Sequence, residues 1–410
     1  MAVAVGIDVA KELHWAEWKV AETGQVLGSR GVENTPQDIA AFIDQIELAT
    51  AEHGPATVGV DVLGGIAGLV VAMLAASDVE VVHTPGLLVN RTRQGTVGGE
   101  RKSDPKDARV IADLVRHRRD LRPVKMPSEA DAALRLLVAR RKDIVADQTR
   151  RLTRMRDLLT AHHPGLERVV DVTGKAGLHL LARYVTPPEI RAAGPARIRR
   201  YMATAGHLRT SVIDDLVDAA VAAAKAQHVA ISGQSVAADI VRDLAREALE
   251  VRSRLTDLDR RIEQAVADHP DGALVRSLPG MGATLTAELL AEIGGIGRFA
   301  NGDQLASAAG LAPVLRQSGK MRYTQRPRAG NKALKRVFYQ SAFCAIQRDP
   351  ASRAFYDRKR AEGKRHHQAL IALARRRVNV LYALLRTRTP YTAPVIQSGP
   401  EGLYGDRCIS

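Results

Sequence analysis

Four aspartates in this chain could do chemistry together. Asp8 ends one apolar run and Asp61 ends another. Asp104 and Asp107 stand three residues apart, a spacing that puts both on one face of a helix. Carboxylates gathered on one edge of a fold repel each other, and burying them unpaired is costly. A hard divalent cation resolves that conflict, and magnesium takes oxygen ligands while keeping room for phosphate oxygens. Two such ions, roughly 3.5–4 Å apart, polarise a phosphodiester and activate an attacking hydroxyl. Singly, each residue also has a structural reading. Asp8 could end a strand, Asp61 could cap a helix at Gly64, and Asp104 could be the N-cap before Pro105. Asp107 would then be a first-turn carboxylate favoured by the helix dipole.

A serine sits in a different setting. From Arg316 to Arg336 there are eight basic residues and no acidic one: Arg316, Lys320, Arg322, Arg326, Arg328, Lys332, Lys335 and Arg336. Tyr323 is interleaved, and Gly310, Gly319 and Gly330 divide the stretch into predicted loops. Such a segment suits a nucleic-acid backbone. Ser318 lies inside it, in Gln317-Ser318-Gly319-Lys320, where positive charge would favour attack on an anionic phosphate. A serine beside glycine is also an ordinary turn residue. Upstream, Leu278-Pro279-Gly280-Met281-Gly282 reads as a helix-hairpin-helix turn, with Gly280 and Gly282 offering backbone N–H groups to a DNA phosphate.

The elements that must position these residues follow from periodicity. Strands are predicted over 3–9, 13–20 and a third running through Val26, then a helix from Thr35-Pro36, a strand over 57–62, a helix over 64–76, a strand over 79–83 and a helix over 103–116. A three-strand meander followed by helix, strand, helix, strand, helix is the RNase H-like topology. It pairs the strand of Asp61 beside that of Asp8. The middle of the chain predicts long helices. Val138, Val145, Leu152 and Leu159 recur every seven residues, and Leu244, Ala248, Val251, Leu255, Leu258, Ile262 and Ala265 follow steps of four and three. This predicts a coiled-coil arm that sets oligomer geometry, the other reading being two helices of one bundle. The expected architecture is thus α/β plus α: an RNase H-like carboxylate domain over 1–125, a helical coiled-coil region over 126–270, a mostly α domain with the serine over 271–390, and a flexible tail over 391–410.

Composition agrees with a polyanionic partner. The 410 residues hold 60 Lys and Arg against 45 Asp and Glu, a formal net charge of +15. DNA or RNA is the default partner of such a chain. Cys344 and Cys408 have no zinc-binding spacing and read as free thiols in a reducing cytosol. The opening apolar run is broken by Asp8 and Lys11, unlike a signal peptide, and no stretch reads as a membrane span.

These pieces together resemble the DEDD-type transposases of bacterial insertion sequences, the group that includes the pilin-gene invertases. The resemblance rests on Val5-Gly6-Ile7-Asp8-Val9-Ala10-Lys11, on Lys102-Ser103-Asp104-Pro105-Lys106-Asp107-Ala108, on the stretch from Leu278 through Ala309-Gly310-Leu311-Ala312-Pro313 to Ser318-Gly319, and on Gly330-Asn331-Lys332 and Arg375-Arg376-Arg377. It implies a RuvC-like (RNase H-like) domain with acidic positions at Asp8, Asp61, Asp104 and Asp107, and a serine nucleophile at Ser318. It further implies tetramers in which one subunit's carboxylates meet another's serine, and a structured bridge RNA that pairs with donor and target DNA. The second acidic position is commonly glutamate in this family, whereas here it is the shorter Asp61.

Three other functions are weighed. A structure-specific nuclease or junction resolvase would use the same carboxylates with water as nucleophile. An actin-like ATPase would need a second phosphate loop, and the sequence after residue 130 has none. A non-catalytic nucleic-acid-binding protein would leave every aspartate structural.

Overall fold

The computed structural model describes residues 2–96, 100–319, 321–325, 327 and 330–393. Of the residues singled out above, Lys320, Arg326, Arg328 and Cys408 lie outside the described residues, as does most of the expected tail. The chain divides into two compact units, Met1–Pro127 and Ser128–Ser410.

In the first unit, β1 (Val3–Asp8), β2 (Leu13–Val20) and β3 (Val26–Glu33) form an antiparallel meander. α1 (Pro36–His53) follows, with the Thr35 side chain accepting a hydrogen bond from the Asp38 N–H. β4 (Ala56–Val60) returns parallel to β1; after α2 (Gly68–Ala76), β5 (Glu80–His83) adds parallel to β4. α3 (Gly86–Gln94), α4 (Asp104–His117) and the short β6 (Arg122–Pro123) complete the unit, giving the sheet order β3-β2-β1-β4-β5-β6. α3 and β6 escape the sequence reading. The first is nine residues long and mostly polar, and the second has only two residues.

Alternation along β1 splits its side chains between two faces. Val3, Val5 and Ile7 enter a core with Ile39, Phe42 and Ile46 of α1 and Val70 and Leu74 of α2. Gly6 and Asp8 belong to the other face, which receives α4. A Cβ at Gly6 would stand 2.2 Å from the Ala108 carbonyl oxygen and 2.3 Å from the Ala112 nitrogen. Gly59, the register partner of Gly6 on β4, would meet Val115 at 2.6 Å and Ile111 at 2.8 Å. The glycine pair therefore lets α4 lie against the sheet.

The second unit is helical apart from one hairpin. α5 (Glu129–His162) leads to α6 (Pro164–Val169), α7 (Lys175–Leu181), α8 (Pro187–Ala203) and α9 (Thr210–Ala226), and α10 (Gln234–Asp268) returns along α5. Ion pairs Arg141–Asp259 at 2.6 Å and Arg151–Glu247 at 2.8 Å show that α5 and α10 run antiparallel. Met155 and Leu159 share a core with α6–α9 and with Val241, Ala245 and Ala248. Leu134 and Val138 share another with Leu258, Ile262 and Val266 and with α11 (Gly272–Ser277), α12 (Ala283–Ile293), α13 (Gly302–Ala308), α14 (Lys332–Ala345) and α16 (His366–Thr387). α15 (Pro350–Ala361) lies between the last two. The heptad residues Ala248, Val251, Leu258 and Ile262 are thus buried within the chain, where α5 fills their seam. No helix among the described residues is long and apolar enough to cross a membrane.

The basic stretch expected as loops forms instead an antiparallel hairpin, β7 (Val314–Ser318) and β8 (Met321–Gln325). Alternating charged and β-favouring residues hide that strand pattern, and Gly319, at φ +55°, helps make the turn. Its base is clamped where Gly330 approaches Gly310: a Cβ on Gly330 would lie 2.7 Å from the Gly310 backbone. The Asn331 N–H also donates to the Ala308 carbonyl at 2.7 Å.

The packing of α4 predicts unequal costs at the two glycines. Gly6→Ala forces a methyl against backbone atoms that cannot rotate away and should destabilise the first unit by about 2–3 kcal/mol. Gly59→Ala meets movable methyl groups and should cost less. Both tryptophans, Trp15 and Trp18, lie on β2. Their fluorescence during denaturant unfolding reports this unit, and equal midpoints for wild type and Gly6→Ala would refute the packing argument.

Candidate active site and nucleic-acid surface

Asp8 is the last residue of β1, and Asp61 follows the last residue of β4. Each lies two residues beyond its glycine, so both belong to the face that α4 covers. Asp104 and Asp107 occupy the first turn of α4. The N-cap is Ser103, so the alternative reading of Asp104 as N-cap does not hold. Burial pushes the Asp8 carboxyl up to about 7, helped by Asp61, Asp107 and Asp104, while Lys102 pulls the other way. Burial also raises Asp61, with Asp107 adding to the effect; the Val9 N–H, 3.5 Å from Oδ1, and His83 oppose it. Asp8 and Asp61 therefore feel the neighbouring carboxylates at one edge of the sheet.

They are not equivalent. Asp104 is exposed, whereas Asp107 is buried and meets the buried Arg93 of α3, Nε to Oδ1 at 3.0 Å. The two atoms form an ion pair without the alignment of a hydrogen bond. Arg93 is held in turn by Asn90, Nη2 to Oδ1 at 2.7 Å. Among the described residues, no three carboxylate, histidine or cysteine side chains are arranged to hold one metal ion. The donors nonetheless suit magnesium in kind, being hard oxygens, and a cation would favour the charged forms that burial and crowding oppose at Asp8 and Asp61. Sequence reasoning missed Arg93, because α3 itself was missed. It also passed over a repeated spelling, Val5-Gly6-Ile7-Asp8-Val9 and Val58-Gly59-Val60-Asp61-Val62, that marks the paired strands.

In the second unit, Ser318 is exposed at the tip of the hairpin. The register Arg316↔Tyr323 and Ser318↔Met321 puts these four residues on one face, while Arg322, opposite Gln317, belongs to the other. Lys332 is exposed at the start of α14 and Lys335 is half-buried. Arg336 is ion-paired to the buried Glu288. Asn331 caps α14 by accepting from the Ala333 and Leu334 N–H groups. The turn from Leu278 to Gly282 does join two helices, α11 and α12. Gly280, at φ +80°, presses on α14, where a Cβ would stand 2.6 Å from the Ser341 carbonyl oxygen. Gly282 is the exposed N-cap of α12 with open space around it.

The raised Asp8 carboxyl has a consequence for stability. The folded chain holds that proton more tightly than the unfolded chain, so the contribution is complete below about 4 and is lost as pH rises through about 7. In buffer with a chelator, Asp8→Asn should unfold at higher denaturant than wild type at pH 8, with the gap closing towards pH 4. A wild type that is the more stable at pH 8 would contradict the crowding.

Two family models match the chain: one for the DEDD transposase of IS110, over residues 5–164, and one described as "Transposase IS116/IS110/IS902 family", over residues 272–357. The "Insertion element IS116 uncharacterized 44.8 kDa protein" of Streptomyces clavuligerus is 40% identical over 96% of this chain and 98% of its own. The "Insertion element IS900 uncharacterized 42 kDa protein" of Mycobacterium paratuberculosis is 39% identical over 95% and 97%. The "Pilin gene-inverting protein" of Moraxella bovis is 32% identical over 33% of this chain and 45% of its own. With both ends of the chain matched in order, and relatives aligned along nearly its whole length, the chain belongs to the IS116/IS110/IS902 family of insertion-element transposases.

Proposed function

We propose that the chain cuts and rejoins DNA for its insertion element through a metal–carboxylate site and the Ser318 hydroxyl. The observation that carries this is the gathering of Asp8, Asp61, Asp104 and Asp107 at one edge of the sheet, where burial, with the neighbouring carboxylates adding to it, pushes Asp8 up to about 7. The strand order, with β1, β4 and β5 parallel, supports an RNase H-like (RuvC-like) reading of the first unit. Asp8, Asp61 and Asp104 would hold magnesium once their side chains turn towards one ion. Asp107 would join them to hold a second ion by exchanging its Arg93 partner. When bound, the metal supplies charge neutralisation and lowers the pKa of the attacking hydroxyl.

Ser318 Oγ attacks the phosphorus. The Oγ–P bond forms as the bond from phosphorus to the strand's leaving oxygen breaks, and the serine proton is released as the leaving oxygen is protonated. A strand-end hydroxyl then attacks the phosphoserine, breaks the Oγ–P bond and restores the serine. Bond energy is conserved, so no ATP is needed. Arg316, on the serine's face of the hairpin, neutralises phosphate charge during transfer. Arg322, with Lys320, Arg326, Arg328, Lys332 and Lys335, follows the backbone, and the open α12 N-terminus at Gly282 takes a phosphate.

An isolated two-stranded hairpin is marginal in water. This one exposes Val314, Leu315, Met321 and Tyr323. That exposure supports a hairpin that docks on another surface, in keeping with a tetramer in which one subunit's Ser318 completes another's carboxylate site. Because α5 fills the heptad seam, such assembly uses other surfaces. The family resemblance and the net charge of +15 support a structured bridge RNA as second partner, and a cytoplasmic protein.

Labelled DNA incubated with each variant in magnesium and run on a denaturing gel tests this reading. Wild type should give a protein–DNA adduct and recombinants; Ser318→Ala should bind DNA yet give neither, at a stability change of roughly half a kcal/mol or less. Asp8→Asn should lose cleavage. Recombinants from Ser318→Ala would move the nucleophile to water and make a RuvC-like resolvase the better reading. The two arginines should separate as well. Arg316→Ala should slow adduct formation, whereas Arg322→Ala should reduce the salt dependence of binding by about one phosphate contact. Equal effects on adduct rate would dismiss the facial assignment.

A further inference from the structure

The second unit contains a cavity of about 240 Å³ between α15, α16 and the Leu278 turn, with Tyr391 at its edge. Its wall is built around Arg377, which is only 4% exposed. Arg377 Nε and Nη2 donate to Ser341 Oγ at 3.1 and 2.6 Å, and Nη2 also donates to the Pro279 carbonyl. These bonds brace the helices but leave the charge unneutralised. Among the described residues, neither Arg376 nor Arg377 has a carboxylate at ion-pair distance. Burial pulls the Arg377 pKa down to about 10, with Asp349 opposing from further off.

More positive charge gathers beside it. The Phe355 ring is approached by Arg376 at 5.1 Å, Arg358 at 5.2 Å and Lys359 at 5.6 Å from its centroid. Of these cations, only Lys359 has a carboxylate partner among the described residues, Glu362. Asp349, also buried, caps α15 through Ser352, whose N–H and hydroxyl donate to Oδ2 at 2.9 and 2.5 Å. Tyr391 is pinned by its N–H to Ser277 Oγ at 2.8 Å. The wall therefore offers cations for an anion, flat rings for an aromatic face and one carboxylate for N–H donors. A bare anion would use only the cations; a ligand with both phosphate and a base would also use the rings and the Asp349 carboxylate. The volume lies below the roughly 300–1,000 Å³ of drug-sized sites, which suits one ring system.

We propose that this cavity is a nucleotide subsite. It takes one unpaired nucleotide of a nucleic-acid strand, with the phosphate at Arg376 and Arg377 and the base along Phe355 and Tyr391. The inference rests on the reading of the chain as nucleic-acid-binding but uses none of the residues assigned to cleavage. Phosphate and base are common to DNA and RNA, so both present the chemistry that the cations and rings take.

The test uses the full chain and duplexes with or without one unpaired 2-aminopurine nucleotide, in DNA and RNA versions. Wild type should bind the bulged duplex about tenfold more tightly than the continuous one, as expected for one stacked base. The 2-aminopurine emission should fall on binding. Arg376→Glu and Phe355→Ala should abolish the preference and the quenching while still binding the continuous duplex. Arg376 is exposed, so its variant should keep the wild-type unfolding midpoint. Equal binding of both duplexes by wild type, or a preference that survives in both variants, overturns the subsite alone. Failure to bind either duplex overturns it together with the nucleic-acid reading. The sugar version that shows the preference identifies which strand supplies the nucleotide.

Discussion

The close approach of α4 to β1 and β4 is the contact on which the placement of the four aspartates depends. A helix can lie that near a sheet only where the strands lack side chains, and Gly6 and Gly59 stand opposite each other where it does. The helix start is thereby placed at the strand ends, so that Asp104 and Asp107, far along the chain, add to the upward push that burial gives Asp8, and Asp107 adds to that on Asp61. The opposite face of β1 carries ordinary apolar packing, with Phe42 and Ile39 fully buried. One face of the sheet holds the unit together, and the other holds the crowded charges.

That crowding is a conflict the fold partly answers from its own residues. Arg93 neutralises Asp107, and Lys102 lowers Asp8, yet Asp8 remains pushed far above an ordinary carboxyl. A chain selected only for stability would gain by replacing such a group with a neutral one.

The second unit likewise separates a buried support from exposed residues. α5 and α10 bury each other's apolar stripes and span two cores. On this frame, the Gly310–Gly330 contact and the Asn331 cap fix the two ends of the hairpin, while its own residues stay open to solvent. Position comes from buried backbone contacts, and the tip that carries Ser318 is left exposed.

Local pattern was enough for much of this. Alternating apolar residues located β1, β2 and β4, Thr35-Pro36 marked the start of α1, and the three-residue spacing of Asp104 and Asp107 put both in one helical turn. The heptad steps found α10, because a buried stripe keeps its period whatever buries it. The partner of that stripe was not legible, since α5 and a second subunit would present the same apolar surface. Nor was the hairpin, where charges interrupt the apolar alternation, or α3, whose Arg93 reaches Asp107 only after the chain has turned back on itself. A sequence states which residues prefer water and which repeat with a period. The neutralising partner of a buried charge, and the backbone allowed to touch a glycine, are decided by distances through space that no local pattern encodes.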